Sequence, residues 1–159
     1  MFAYRDFHLS SESGNVLALG TTTWFVIDIH RRRPQRTDAY FHLDDWGEYE
    51  QAYPSFAPKV QELEKPDSTS QRHVYYSDLD VNGHVNNVKY LEYILDSFPL
   101  DFIKTHDIKQ IDMNFLNEAF YNDVVDIRTQ QCRGNYLHAL FREGGKTELC
   151  RAKTSWGKR

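Results

Sequence analysis

The chain has 159 residues, of which 40% are hydrophobic, 14% aromatic and 26% charged, and its formal net charge is -4. This composition excludes an intrinsically disordered chain, which would carry fewer apolar and aromatic side chains. The negative charge excludes a general affinity for nucleic acid or anionic membranes, and the length suits one domain or one domain with part of another.

The first 29 residues predict β structure. Residues 4–9 suit a short strand, residues 10–14 are turn formers, and residues 15–29 form a long β-prone run. Apolar side chains occupy both odd and even positions of this run, so we expect a strand covered on both faces. The arginines that follow are either a solvated strand end or a docking site for an acidic partner; they are Arg31, Arg32, Arg33 and Arg36.

Residues 37–70 change in character, because acidic residues and prolines alternate with aromatic residues without a sustained period. This pattern predicts a connector with short helical turns, ending in the polar segment 67–71. We therefore place a boundary after residue 66, which gives expected units of residues 1–66 and 67–159.

A strand is predicted over residues 73–77 and an amphipathic helix over residues 87–98. The apolar positions of the helix recur at helical spacing, with Ile94 beside them; they are Val88, Leu91, Leu95 and Phe98. Asn86 or Asn87 can cap the start of the helix, and Pro99 ends it.

Alternating apolar and polar residues after the helix predict further antiparallel strands around residues 111–115, 125–128, 137–141 and 150–156. Residues 143–146 (EGGK) suit a hairpin turn. One helix followed by a run of strands predicts an α+β domain with the helix packed on an antiparallel sheet, which is the hot-dog arrangement. Trp24 and Trp156 in matching places suggest that residues 4–29 repeat the last strands of such a unit.

Other sequence features predict neither a metal nor a cofactor. Cys132 and Cys150 have no metal-binding or redox spacing, the seven histidines are scattered, and we expect free thiols in a reducing compartment. Because neither a signal-peptide run nor a stretch of about 18 apolar residues occurs, we expect a cytoplasmic protein.

Acid, amide and imidazole groups are concentrated just before the predicted helix. Asp80, Asn82 and His84 stand at alternate positions, and their side chains would share one face if the chain were extended there. The alternative is structural: Asp80 and Asn82 as turn formers, and His84 as a loop or capping residue.

Residues 77–90, SDLDVNGHVNNVKY, resemble the acyl-acyl-carrier-protein (acyl-ACP) thioesterases, double hot-dog enzymes that release free fatty acid. A weaker match, TWFVIDI at 23–29 with RRRPQR at 31–36, resembles the end of the family's first hot-dog unit. The resemblance implies one complete unit preceded by the terminal strands of another, and so a chain shortened at its amino terminus. We expect it to assemble with another copy or to be a fragment of a longer product.

The resemblance also implies the site. Asp80 would be nucleophile or general base, with Asn82 and His84 holding it and the substrate carbonyl in position, and Glu118, on the strand after the helix, would activate water. Plant members carry a cysteine after that glutamate, whereas Ala119 stands here, which excludes a cysteine nucleophile at this position.

Substrate contacts are expected at two places, the helix start from its own geometry and the arginine cluster from the resemblance. The backbone amides at the predicted helix start are oxyanion candidates, because a helix amino terminus carries unsatisfied N–H groups and a partial positive charge; they are those of Val85, Asn86 and Asn87. Acidic acyl carrier protein would dock on the arginine cluster. Two alternatives stay open: a single hot-dog acyl-CoA thioesterase, and a non-catalytic acyl-binding remnant.

Overall fold

A computed structural model describes residues 2–28, 30–31, 33–40, 51–53 and 58–159. The chain divides into two compact units, Met1–Pro58 and Lys59–Arg159. The division falls ahead of the boundary predicted after residue 66, so the predicted connector is shared between the units. Its residues 41–50 and 54–57 lie outside the described residues.

The first unit contains two antiparallel strand pairs. Strands β1 (Ala3–Ser10) and β2 (Val16–Trp24) form one pair, and β3 (Val26–Asp28) and β4 (Arg33–Gln35) form the other. The strand predicted at 4–9 is confirmed, whereas the predicted run over 15–29 is interrupted at Phe25, and Ile29 is outside the described residues.

The expectation that this run is covered on both faces is wrong for the described residues. Six of its large apolar side chains are 42–63% exposed, while Val26 is half-buried; the six are Val16, Leu17, Leu19, Trp24, Phe25 and Ile27. A two-stranded ribbon has no layer of its own to bury them.

The two tryptophans of the suggested repeat share a local geometry. The Trp24 indole N–H donates to Thr22 Oγ1 at 2.7 Å, and the Trp156 indole N–H donates to Thr154 Oγ1 at 2.9 Å. In each case the acceptor lies two residues earlier on the same strand. This likeness supports the repeat, which stays a prediction.

The second unit is built on a five-stranded antiparallel sheet. In spatial order its strands are β5 (Ser68–His73), β7 (Val124–Cys132), β8 (Asn135–Arg142), β9 (Thr147–Lys158) and β6 (His106–Phe115). The strands predicted after the helix are confirmed, as is the turn at 143–146, where Glu143, Gly144 and Gly145 have φ of 58, 65 and 91°.

The strand predicted at 73–77 is wrong. The strand here is β5, which begins in the polar segment 67–71 and ends at His73, while residues 76–78 form a 3-10 turn. Every residue of β5 is exposed, so its pairing with β7, rather than an apolar pattern, makes it a strand.

Helix α1 (Asn87–Asp96) confirms the predicted helix, and a short second helix, α2 (Leu100–Thr105), follows Pro99. Ile94 is buried as predicted, but Tyr90 and Tyr93, each 2% exposed, complete the buried face, whereas Val88 of the predicted stripe is 61% exposed. The two tyrosine rings fill the core more than the smaller apolar side chains beside them.

The core lies between α1 and one face of the sheet. The buried face of the helix belongs to one cluster with strand residues such as Val125, Ile127, Leu140 and Ala152. A single helix packed on an antiparallel sheet confirms the predicted α+β class and its hot-dog arrangement.

The opposite face of the sheet is crossed by residues 59–66, which were predicted as part of the connector. The segment contacts three strands one after another. Val60 N–H donates to Asn114 Oδ1 of β6 at 2.7 Å, and Glu62 pairs with Arg151 of β9 at 3.0 Å. Glu64 N–H donates to Gln130 Oε1 of β7 at 3.3 Å. These contacts place the segment in the second unit.

Candidate active site

The polar loop before α1 is a tight turn. Asp80 N–H donates to His84 O at 2.8 Å, and Gly83 N–H donates to Asp80 O at 3.1 Å. The loop is therefore not extended, and the condition for one shared face is not met. Gly83 has φ of 77°, a conformation that glycine adopts at little cost and that reverses the chain here.

The turn brings Asp80, Asn82 and His84 together through the Asp80 carboxylate. Asp80 Oδ1 accepts the N–H groups of Asn82 at 2.8 Å and His84 at 3.2 Å, and Asn82 Nδ2 lies 3.4 Å from Asp80 Oδ2. These donors, the Asn82 amide foremost, lower the pKa of Asp80. The carboxylate is therefore ionised at neutral pH, as a nucleophile or a base must be.

His84 joins this carboxylate to a second one. Its N–H is bound to Asp80, while its ring Nδ1 lies 3.4 Å from Glu118 Oε1. The ring also packs edge-on against Phe120 at 5.3 Å, and the two residues form a β-bridge. Glu118 stands in the segment after β6, not on a strand as predicted, and the bridge brings that segment to the loop.

Asp78 is a residue that sequence reasoning did not single out. It is 5% exposed, and its Oδ2 accepts Tyr75 N–H at 2.8 Å while its carbonyl accepts Asn86 N–H at 2.9 Å. Lys89 Nζ lies 4.0 Å from its other carboxylate oxygen. Asp78 thus connects the start of the loop to the start of α1. The sequence pattern Asp78-Leu79-Asp80 does not reveal which of its two carboxylates is buried.

The structure corrects the oxyanion candidates. The Val85 N–H donates to Ala119 O and the Asn86 N–H donates to Asp78 O, both at 2.9 Å. Both groups are therefore occupied. Asn86 Oδ1 accepts Val88 N–H at 3.0 Å, which confirms Asn86 as the helix cap. Within the described part of the chain, the Asn87 amide alone among the three donates to no acceptor.

The arginine cluster belongs to the first unit. Arg31 and Arg33 are exposed, and Arg36 is bound to Asp38 with Nη2–Oδ2 at 2.5 Å, which raises the pKa of Arg36. Arg32 lies outside the described residues. An exposed ion pair is weak, so Arg36 can exchange Asp38 for another acidic group.

The described residues provide neither a metal-binding group nor, at Cys150, a reactive thiol. Among the residues that the structure describes, no three His, Cys, Asp or Glu side chains are grouped to bind a metal ion. Burial raises the pKa of the Cys150 thiol to about 12, so this thiol is protonated and unreactive at neutral pH.

No described helix is long and apolar enough to cross a membrane.

Comparison with known proteins gives the same fold. A palmitoyl-ACP thioesterase of Gossypium hirsutum is 29% identical over 96% of this chain and 41% of its own length. The solved 12:0-ACP thioesterase of Umbellularia californica superimposes with a TM-score of 0.87 at 23% identity, over 99% of this chain and 63% of its own. An acyl-ACP thioesterase of Bacteroides thetaiotaomicron gives 0.84 at 24% identity, over 98% and 63%.

One helix on a five-stranded antiparallel sheet, with a polar loop leading into that helix, defines a protein of the hot-dog class. The family model for the acyl-ACP thioesterase C-terminal domain matches residues 61–158, more than half of the chain. The chain therefore belongs to the acyl-ACP thioesterase family. It spans about half the length of the curated relatives that it matches.

Proposed function

We propose that the protein hydrolyses the thioester of fatty acyl-ACP and releases free fatty acid. The observation that carries this proposal is His84, which joins an ionised Asp80 to Glu118 at the start of α1. Membership of the family supports the reaction class, and curated relatives are named as hydrolases of acyl-ACP.

In the first step Asp80 acts on the thioester carbon. If Asp80 is the nucleophile, its oxygen forms a mixed anhydride as the C–S bond breaks, and the carrier leaves as a thiolate that takes a proton from solvent. If it is a base, it takes a proton from the water that attacks. In both cases the Asn87 amide at the start of α1 can stabilise the negative oxygen that forms.

In the second step of the nucleophilic route, water attacks the anhydride and gives a proton to Glu118. The products are the free fatty acid and the restored Asp80 carboxylate, and Glu118 then releases its proton to solvent. Asn82 and His84 hold Asp80 in place through the turn, and the His84 ring holds Glu118 on the other side. The loop thus keeps the attacking and water-activating carboxylates on one scaffold.

The carrier distinguishes this proposal from a hot-dog acyl-CoA thioesterase. Purified protein given one acyl chain on acyl carrier protein and on CoA should show a kcat/KM at least about tenfold higher for the carrier protein, the equivalent of 1.4 kcal/mol. Release of free thiol measures both rates. Equal or higher turnover of acyl-CoA would favour that alternative, and no turnover of either would favour an acyl-binding remnant.

Acyl carrier protein is acidic, so we propose that it docks on Arg31, Arg32, Arg33 and Arg36. Reversing the described members together (Arg31→Glu, Arg33→Glu, Arg36→Glu) should raise KM for acyl-ACP about tenfold by slowing encounter, and spare acyl-pantetheine, which is uncharged at its carrier end. Steady-state kinetics at low salt with both substrates measures this.

The matched control reverses three exposed lysines of the second unit, Lys104, Lys109 and Lys158, with the same change in net charge. If this control raises KM for acyl-ACP equally, overall charge rather than the arginine cluster is responsible. If the arginine variant affects both substrates equally, the cluster does not dock the carrier.

Two further expectations stay predictions. A cytoplasmic location is expected from the sequence, whereas relatives of this chain are named as chloroplastic proteins. Assembly with a second copy is expected from the exposed apolar side chains of β2 and β3.

A further inference from the structure

A buried tyrosine hydroxyl contacts the segment that carries Glu118. Tyr90 is on α1, is 2% exposed, and its hydroxyl oxygen accepts the Ala119 N–H at 3.1 Å. Burial raises the pKa of Tyr90 to about 12, so the group stays a neutral phenol at every pH of interest. This contact ties the helix to the residue that follows the catalytic candidate Glu118.

Ala119 is also held through its carbonyl, in the next peptide group. The Ala119 carbonyl accepts the Val85 N–H at 2.9 Å, and Ala119 itself is fully buried. Both hydrogen-bonding groups of Ala119 are therefore bound, one by the helix and one by the loop. One residue earlier, the Glu118 carboxylate meets the His84 ring at 3.4 Å.

We propose that Tyr90 is a positioning residue, whose hydroxyl holds the Glu118 carboxylate beside His84. The inference rests on the proposed function, because it assigns Tyr90 a role in activating the water of that reaction. Glu118 stands outside any strand and its side chain is 45% exposed, so its backbone is held through the hydrogen bonds of the adjacent Ala119 and not by strand pairing of its own. Of the hydrogen bonds of Ala119, the one to Tyr90 connects the Glu118 segment to α1.

A neighbouring tyrosine supplies a matched comparison. Tyr93 lies one turn along α1 and is also 2% exposed, but its hydroxyl lies beside the Asp78 carboxylate, outside strict hydrogen-bond geometry, and does not contact the Glu118 segment. Tyr90→Phe and Tyr93→Phe thus each remove one buried hydroxyl from the same helix. Only the first removes a contact to the Glu118 segment.

The first test compares turnover of acyl-ACP by the two variants. Tyr90→Phe should lower kcat about tenfold and change KM by less than about twofold, because a displaced Glu118 affects the chemical step more than binding. Tyr93→Phe should keep kcat within about twofold of the unchanged protein. In parallel, amide hydrogen exchange at Ala119 should quicken about tenfold or more in Tyr90→Phe alone, which shows that the contact exists.

The second test is a double-mutant cycle with Glu118→Gln. If Tyr90 acts through Glu118, Tyr90→Phe should cause less than about a twofold further loss once Glu118 is glutamine. Loss of the same tenfold factor in both backgrounds would show a merely structural role and overturn the proposal.

The remaining outcomes distinguish failure of the positioning role from failure of the proposed function. Equal kcat for the two phenylalanine variants, or unchanged exchange at Ala119, overturns the positioning role while turnover by the unchanged protein still supports the proposed function. Absence of turnover by the unchanged protein overturns the proposed function and with it any catalytic part for Tyr90.

Discussion

Replacing Asp80 with asparagine should lower kcat about a thousandfold or more while the fold persists. The Asn Oδ1 can still accept the N–H groups of residues 82 and 84, so the turn remains, but the negative oxygen that attacks the thioester or takes a proton from the attacking water is lost. This substitution therefore separates catalysis from turn formation, the structural alternative for Asp80. Turnover of acyl-pantetheine measures the effect without a carrier protein.

Asp28 offers a matched control. Its Oδ1 also accepts two backbone N–H groups that closely follow it, those of His30 and Arg31, both at 2.9 Å. Asp28→Asn should keep kcat for acyl-pantetheine within about twofold, and both variants should unfold close to the temperature of the unchanged protein. If Asp80→Asn is as active as Asp28→Asn, Asp80 is a turn former and the proposed mechanism is wrong.

Acidification from pH 6.5 to pH 4 should destabilise the second unit through His138. This side chain is 1% exposed, between Thr129 Oγ1 and Thr154 Oγ1, each 3.0 Å from one ring nitrogen. Around it lie aromatic rings, Phe98 at 5.7 Å and Tyr136 at 6.5 Å. Burial lowers the pKa of His138 from 6.5 to about 4.

The direction of the effect follows from proton binding. Below pH 6.5 the unfolded chain binds a proton at His138 that the folded chain binds only near pH 4, so the free energy of unfolding falls across this interval. The loss should approach about 3 kcal/mol, since each pKa unit corresponds to 1.36 kcal/mol. Urea unfolding at pH 7 and pH 4 measures it, and an NMR titration reports the His138 ring directly.

His138→Gln should remove this part of the pH dependence, because a glutamine amide can contact both threonines and does not titrate. His73→Gln is the control, since His73 is exposed on β5. An unaltered difference between pH 7 and pH 4 in His138→Gln would show that other groups cause the acid sensitivity.

Most regular elements could be predicted because their side chains follow the period of the element. The strands from β6 to β9 alternate, and α1 has helical spacing, a capping Asn86 and Pro99 beyond its end. β5 could not be predicted this way, because its polar, exposed side chains carry no pattern and only its pairing with β7 makes it a strand. The crossing of residues 59–66 likewise depends on acceptors far along the chain.

In the candidate site, too, some contacts could be predicted from the local sequence and others depend on distant segments. Asp80, Asn82 and His84 are neighbours along the chain, so the sequence alone placed them together, although the turn at Gly83 rather than an extended strand does so. The 3.4 Å approach of Glu118 to His84 depends on a bridge between segments that the sequence separates. The same bridge brings Ala119 within reach of Tyr90.

By itself the sequence determined the hot-dog class, the family and the loop that carries Asp80, because each depends on residues that are close in the chain. Only the tertiary structure decided which groups are already bound. The amides of Val85 and Asn86 are taken by carbonyls of Ala119 and Asp78, the second carboxylate stands at His84, and the Tyr90 hydroxyl holds the segment beside it. Hydrogen bonds between distant segments form when the helix packs on the sheet, and no local pattern encodes them.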